Sequence, residues 1–379
     1  VTREAAASPY AAARREFGHH EQRILVLQGG GALGAYQAGV FDGLAMAGFA
    51  PNWVAGTSIG AINAALIAGN PPERRTERLR AFWDKVSAST SSFALPAGMD
   101  ALRPLLNRMS AASVATFGVQ GFFKPRFPPP MMAADGTLAA LSYYDTEPLR
   151  ETLNELVDFD LINGKSIRLS LGAVNVCTGQ AVFFDNVTCR IDASHVMASG
   201  ALPPGFPPVQ IDGEWYWDGG IMSNTPLLHV SENLRINALI VQVDLFSGSG
   251  ELPRNLAEVE ERAKDIQYQS KQRFTTEKLR HIEELRSALA DVLAKLPENL
   301  RADPKVEKLA AIAHRGPLSL VRLVNRHDTK SANFKDFEFS RATVEDLWRG
   351  GREDVHRVMT NPMECRVTEV GNGVRAFEA

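Results

Sequence analysis

Twice between residues 24 and 68 the chain passes from a short apolar run, through a glycine turn, into a helical pattern. Ile24-Leu-Val-Leu27 stops at Gln28-Gly-Gly-Gly31, and Gly34 then opens a segment with Tyr36, Val40 and Leu44 on one face. Trp53-Val-Ala55 runs into Gly56-Thr-Ser-Ile-Gly60, followed by small residues at Ala61, Ala64, Ala65 and Ala68 that end at Gly69 before Pro71. Two such units in succession predict a mainly parallel sheet with helices packed on it. Arg74 to Val86 reads as a surface helix. Ile167–Val174 and Ala181–Phe184 read as a hairpin about Thr178-Gly179, and Ala238–Val243 as a further buried strand.

At 379 residues the chain exceeds what one hydrophobic core usually organises. Ser247-Gly-Ser-Gly250 marks the expected boundary, giving a flexible leader (1–22), an α/β catalytic domain (23–250) and a mostly helical extension (251–379). In the extension Ile282, Leu285, Leu289, Val292 and Leu296 recur at three-four spacing, a stripe expected to pack within the protein or against a second copy of the chain. Leu318–Val324 reads as a strand and Val344 to Met359 as a helix. Residues 87–141 break the pattern with Phe93, Leu95, Leu105, Phe117, Phe122, Phe123, Phe127, Met131 and Met132, so they are expected either to form a lid or lipid-facing insertion or to cover the core.

A net charge of −3 supplies no field that would gather nucleic acid or an anionic membrane, so any contact with a lipid surface has to rest on local apolar side chains. The three cysteines, Cys177, Cys189 and Cys365, lack metal-ligand spacing and suit a reducing, cytoplasmic compartment, with contact at the membrane periphery. Residues 1–23 lack the apolar run of a signal peptide, and no apolar stretch reaches membrane-spanning length.

Gly56-Thr-Ser58-Ile-Gly60 has the form in which glycines permit a sharp strand-to-helix turn, presenting the serine at a helix N-terminus where an alkoxide is favoured. The blander reading is a serine that only caps the helix. Gly29, Gly30 and Gly31 expose amides at the same sheet edge, as a tetrahedral oxyanion requires. Gly29, Gly31 and Gly34 also satisfy a dinucleotide fingerprint, yet Pro51 to Gly56 offers no acid for the ribose, so no such cofactor is expected, and with no cluster of ligand residues in the sequence no metal is expected either. In Tyr216-Trp-Asp218-Gly219-Gly220 the two glycines let the carboxylate reach a neighbouring strand end, and the apolar, proline-rich approach Gly200–Pro208 would desolvate it. Desolvation makes Asp218 a stronger base than a free Asp of pKa roughly 3.9. Of His195, His229, His281, His327 and His356, none lies in a glycine turn; His327 is the best candidate for a Ser-His-Asp triad.

The triple glycine, the early G-x-S-x-G and the later Asp-Gly-Gly, with Ala198-Ser-Gly-Ala-Leu-Pro-Pro204 before it, resemble the patatin-like phospholipase family over about Arg23 to Leu245. The resemblance implies a three-layer sandwich, Ser58 as nucleophile, Asp218 as its only general base and the Gly29–Gly31 amides as oxyanion donors. It implies a lipid carboxylic ester as substrate, phospholipid or lysophospholipid by default. Many members carry a basic residue where Leu33 stands, so that position supplies no charge here. The residues after Pro253 are similar to an extension of unassigned activity that follows the patatin core in some bacterial proteins. The reading from a different class is a catalytically silent lipid-binding or scaffold protein on the same fold.

Overall fold

The strand expected at Ile24–Leu27 lies near the middle of a sheet that has ten strands among the described residues. The computed structural model describes Tyr10 and residues 19–88, 103–234, 237–313, 318–326, 335–360, 366–370 and 374–378. Strand β1 (Gln22–Leu27) leads through the triple glycine to α1 (Gly34–Met46), β2 (Trp53–Thr57) to α2 (Ile59–Ala68), and α3 (Arg75–Ser87) follows. Next come α4 (Arg103–Phe117), a two-residue ladder of β3 (Lys124–Pro125) and β4 (Tyr144–Asp145), α5 (Glu147–Leu156) and α6 (Phe159–Asn163). Strands β5 (Arg168–Asn175) and β6 (Ala181–Asp185) form the expected hairpin, then α7 (Ala193–Ser199), β7 (Val209–Ile211), β8 (Glu214–Asp218), α8 (Leu227–Glu232) and β9 (Ala238–Asp244). The remainder comprises α9 (Leu256–Ala294), α10 (Glu298–Arg301), α11 (Pro304–Ala313), β10 (Leu318–Val324), α12 (Arg341–Thr360), β11 (Arg366–Val370) and β12 (Val374–Glu378).

The sheet order is β11-β12-β10-β9-β1-β2-β5-β8-β7, with β6 also on β5. From β12 to β5 every pairing is parallel; the antiparallel ones are confined to the margins. Alternation along β1 sends Leu25 and Leu27 into the core with α1 and α2, and Ile24 and Val26 to the opposite face, against Leu227 and Val230 of α8. Both faces are therefore apolar and covered, which is why the central strands read as continuous hydrophobic runs. This is the expected α/β layered architecture.

The expected boundary at Ser247–Gly250 is an exposed turn, and the chain beyond it returns to the same sheet. β10 pairs with β9 in register from Leu318↔Ala238 to Val324↔Asp244. Helix α12 packs along α1, with the Tyr36 hydroxyl donating to Asp354 Oδ2 at 2.7 Å and Trp348 Nε1 to Asp42 Oδ2 at 3.0 Å. Composition marks the turn; the apolar run at Leu318–Val324 is what returns the chain to the core. Of the expected leader, residues 1–9 and 11–18 lie outside the described residues, while His20 is buried against Ser319 (Nε2 to Oγ, 3.0 Å).

The stretch 87–141 splits in two. Phe93 and Leu95, and the side chain of Leu105, lie outside the described residues. Phe122 and Phe123 are buried, packed on Phe82, Phe206 and Phe339, so for this pair the lipid-facing reading gives way to the core one. Phe117, Phe127, Met131 and Met132 are exposed. The stripe on α9 is also only partly covered: Leu293, one place off it, is buried, whereas Leu285 and Val292 face outward.

Candidate active site

β5 stands between β2 and β8, and its register decides the site. Thr57 of β2 pairs with Gly172, and Asp218 of β8 pairs with Ala173, so the residue after β2 and the last residue of β8 emerge on adjacent rungs. Ser58 adopts φ 58° and ψ −126°, a left-handed backbone that a non-glycine residue keeps only when its surroundings enforce it. The enforcement comes from Ser199: the Ser58 N–H donates to both its carbonyl and its Oγ at 3.1 Å, and that hydroxyl donates to the Gly172 carbonyl at 2.6 Å. A Cβ on Gly56 would strike the Gly60 carbonyl and one on Gly60 the Leu27 carbonyl, so the turn closes only with both glycines.

Asp218 is fully buried. Its Oδ1 accepts the Gly220 N–H at 2.7 Å, while Oδ2 makes no hydrogen bond of normal geometry among the described residues. Burial pushes the carboxyl up to about 7, against the lowering pull of the Ser58 hydroxyl beside it and of the Gly220 amide. Gly219 is needed for close approach, since a Cβ there would lie 2.6 Å from the Gly172 carbonyl oxygen.

The triple glycine lies directly alongside the serine: a Cβ on Gly29 would stand 2.9 Å from that of Ser58. The Gly29 N–H donates to the Asn224 carbonyl at 3.0 Å. An amide has one hydrogen to give, so Gly29 drops out of the expected oxyanion donors. The N–H groups of Gly30 and Gly31 have no acceptor among the described residues. Gly34 opens α1 and lets α2 approach, a Cβ there meeting Ile59 Cγ1 at 2.5 Å.

One cavity is lined by Ser58, Asp218 and Gly29–Gly31 together with Asn224, Tyr268 and Asp336 and a majority of apolar side chains, among them Ile59, Ile62, Phe122, Phe123 and Phe206. None of the described histidines lines it: His195 caps the start of α7 with Asp192, and His229 stacks on Phe183 at 4.0 Å. His327 lies outside the described residues. Among the described residues no three His, Cys, Asp or Glu side chains gather as metal ligands would, and no helix is long and apolar enough to cross a membrane.

The sequence profile of the patatin-like phospholipase family matches residues 25–230, more than half of the chain. The chain belongs to that family, one of lipid acyl hydrolases. A second profile, described as patatin phospholipase, matches residues 266–369. No curated protein matches the chain. Among solved structures it is similar to VipD from Legionella pneumophila, at 15% identity and a TM-score of 0.35, covering 87% of this chain and 66% of that one. It is also similar to a chain of the heterodimeric ExoU–SpcU complex of the type III secretion system of Pseudomonas aeruginosa, at 20% identity and a TM-score of 0.27, covering 76% and 58%. The chain thus spans less than two thirds of the length of either.

Several residues that hold this patatin site carry no motif. Asn224, buried, donates from Nδ2 to the Gly29 carbonyl at 2.8 Å. Behind the glycine loop, Gln28 accepts the Leu245 N–H at 2.6 Å through Oε1, and its carbonyl accepts Gln37 Nε2 at 2.6 Å. Gln37 in turn meets Asn63, whose Oδ1 accepts Trp83 Nε1 at 3.1 Å. A buried amide network of this kind is stable only when each member is satisfied, and so it fixes one loop conformation.

Proposed function

We propose that the chain hydrolyses carboxylic esters of lipids, phospholipid or lysophospholipid acyl esters in the first place, through a Ser58–Asp218 dyad and an acyl-enzyme. The observation that carries this reading is the buried Asp218 carboxyl beside Ser58, in a cavity that no described histidine lines. Asp218 takes the hydroxyl proton as Ser58 Oγ attacks the ester carbonyl, and the oxyanion accepts the N–H groups of Gly30 and Gly31. The N-terminus of α2 adds its positive end; Leu33 adds no charge. The intermediate expels the alcohol, which leaves with the proton from Asp218, and Ser58 stays acylated. Asp218 then deprotonates a water that attacks the acyl carbon, and collapse releases the carboxylic acid and returns the proton to Ser58. A base with pKa near 7 suits this double role, being readily ionised yet strong enough to accept a proton.

The deciding experiment is labelling with a fluorophosphonate followed by peptide mass spectrometry, alongside ester hydrolysis. One adduct per chain, on Ser58, is expected. Hydrolysis without that adduct, or an adduct on another serine, refutes the assignment; neither hydrolysis nor adduct would favour a silent lipid-binding protein.

A further inference from the structure

The cavity over Ser58 is not built by the patatin core alone. Phe246, Tyr268, Asp336, Phe337 and Phe339 also line it, the last four of them from beyond the exposed turn at Ser247–Gly250. Phe339 is buried, stacked on Trp83 at 6.5 Å and edge-on to Phe122 at 5.9 Å. Tyr268 stacks on Phe246 at 4.8 Å, and Phe337 lies beneath the Lys264 ammonium at 5.7 Å.

This wall is fixed, and the polar groups of Asp336 in it are taken. The Asp336 carbonyl accepts the Ala32 N–H at 2.9 Å, directly after the triple glycine, and the Asp336 carboxylate pairs with Lys264 at 3.0 Å. Lys335 is clamped between Glu261 at 2.9 Å and Asp265 at 2.7 Å on α9, and Glu338 accepts the hydroxyls of Ser110 at 2.6 Å and Ser340 at 2.9 Å. What this side brings to the cavity is mainly aromatic surface, from Tyr268, Phe337 and Phe339, which joins Ile59, Ile62 and Phe122 in the same lining as Ser58 and the Gly29–Gly31 loop. A ligand matching that lining has a carbonyl for the serine and a hydrocarbon tail for the aromatic and aliphatic side chains.

We infer that the chain beyond residue 250 completes a binding site for the acyl chain of the substrate, with Phe337 and Phe339 in its wall, so that these two residues set the chain length accepted. The inference deepens the lipid-hydrolase reading and rests on it for the identity of the acyl group.

The test uses the full chain carrying Ser58→Ala, so that nothing is turned over, and measures saturated fatty acids of increasing length by displacement of a fluorescent polyene fatty acid. In this parent, affinity rises about fourfold with each methylene accommodated and then stops. Adding Phe339→Leu moves the stopping point to longer acids. Adding Phe337→Ala weakens long acids by about tenfold or more and short ones little. Should Phe339→Leu not unfold cooperatively, the half-buried Phe337 carries the test alone. Length profiles that superimpose on the parent's, or no binding of any acid, overturn the inference. Fluorophosphonate labelling of the unsubstituted chain reads the dyad separately: label on Ser58 with unmoved length profiles sinks only the acyl site, and shifted profiles without label sink only the dyad.

Discussion

Gly29 and Asn224 hold each other through two hydrogen bonds, Gly29 N–H to the Asn224 carbonyl at 3.0 Å and Asn224 Nδ2 to the Gly29 carbonyl at 2.8 Å. The Asn224 Oδ1 also fills the space a Cβ on Gly220 would need, 2.8 Å away, so one side chain ties the glycine loop to the turn after Asp218. Asn224→Asp replaces the donor with a carboxylate facing a carbonyl, which pushes the loop away from Ser58. The expected result is a fall in kcat of about a hundredfold on a soluble ester, the scale of losing an oxyanion donor, with KM little changed. A raised KM at unchanged kcat would make Asn224 a substrate-binding residue instead.

If Asp218 is the base, the pH dependence of the reaction belongs to it. Its carboxyl must be ionised to accept the serine proton, so kcat/KM should climb with pH through about 7 and then level off. Ser58→Ala and Asp218→Asn should each lower turnover by orders of magnitude, and His327→Ala should leave it within several-fold. A His327→Ala protein that is folded but inactive would replace the dyad with a triad.

The same carboxyl should weaken the fold at high pH. Its folded pKa of about 7 stands above the ordinary aspartate value of 3.8, so the folded state holds a proton that the unfolded chain has released across that interval. Stability from this group is complete below the unfolded value, falls as pH rises through the folded one, and is then lower by on the order of 4 kcal/mol. Asp218→Asn keeps an acceptor for the Gly220 amide without the ionisation. Thermal unfolding should show this variant more stable than the unsubstituted chain at mildly alkaline pH, with the gap closing toward the unfolded pKa. A stability gap that does not change with pH would mean that the carboxyl titrates alike in the folded and unfolded chain.

The sequence shows the parts of the site that depend on local backbone. Glycines flanking Ser58 and following Asp218 are legible because a turn at those places admits no side chain, and β1, β2 and β9 are legible because strands buried on both faces read as unbroken apolar runs. Contacts over long separations are not. Asn224 meets Gly29 across 195 residues, and nothing in Ser223-Asn-Thr225 announces it. The Gly29 amide reads as a free donor until that partner is found. Phe337 and Phe339 sit in a segment without periodicity, so their place in the wall follows from long-range contacts: the Asp336 carbonyl on the Ala32 N–H, Glu338 on Ser110 and the ion pairs that press the segment onto α9. Composition likewise cannot separate Phe122 from Phe127 in an aperiodic stretch, although the first is 7% exposed and the second 96%.

That contrast relocates the proposed lipid contact. Phe127, Met131 and Met132 are 96%, 79% and 73% exposed, on a segment that follows directly from the cavity-lining Phe122 and Phe123. With a net charge of −3 the protein gains nothing from general attraction to an anionic surface, so adhesion to a lipid aggregate has to come from apolar side chains leaving water. A large side chain fully buried contributes about 1.5 to 3 kcal/mol, so three partly inserted ones are enough to move the bound fraction by more than about tenfold. Replacing all three with serine should therefore cut vesicle hydrolysis by about tenfold or more, leave a soluble ester within about twofold, and leave the melting temperature in place, because exposed positions carry little packing. Phe122→Ser is the opposite case: it empties a buried position, so both activities and the melting temperature should fall together. A triple variant that loses vesicle and soluble activity in equal measure would mean that these side chains serve the fold and not the interface.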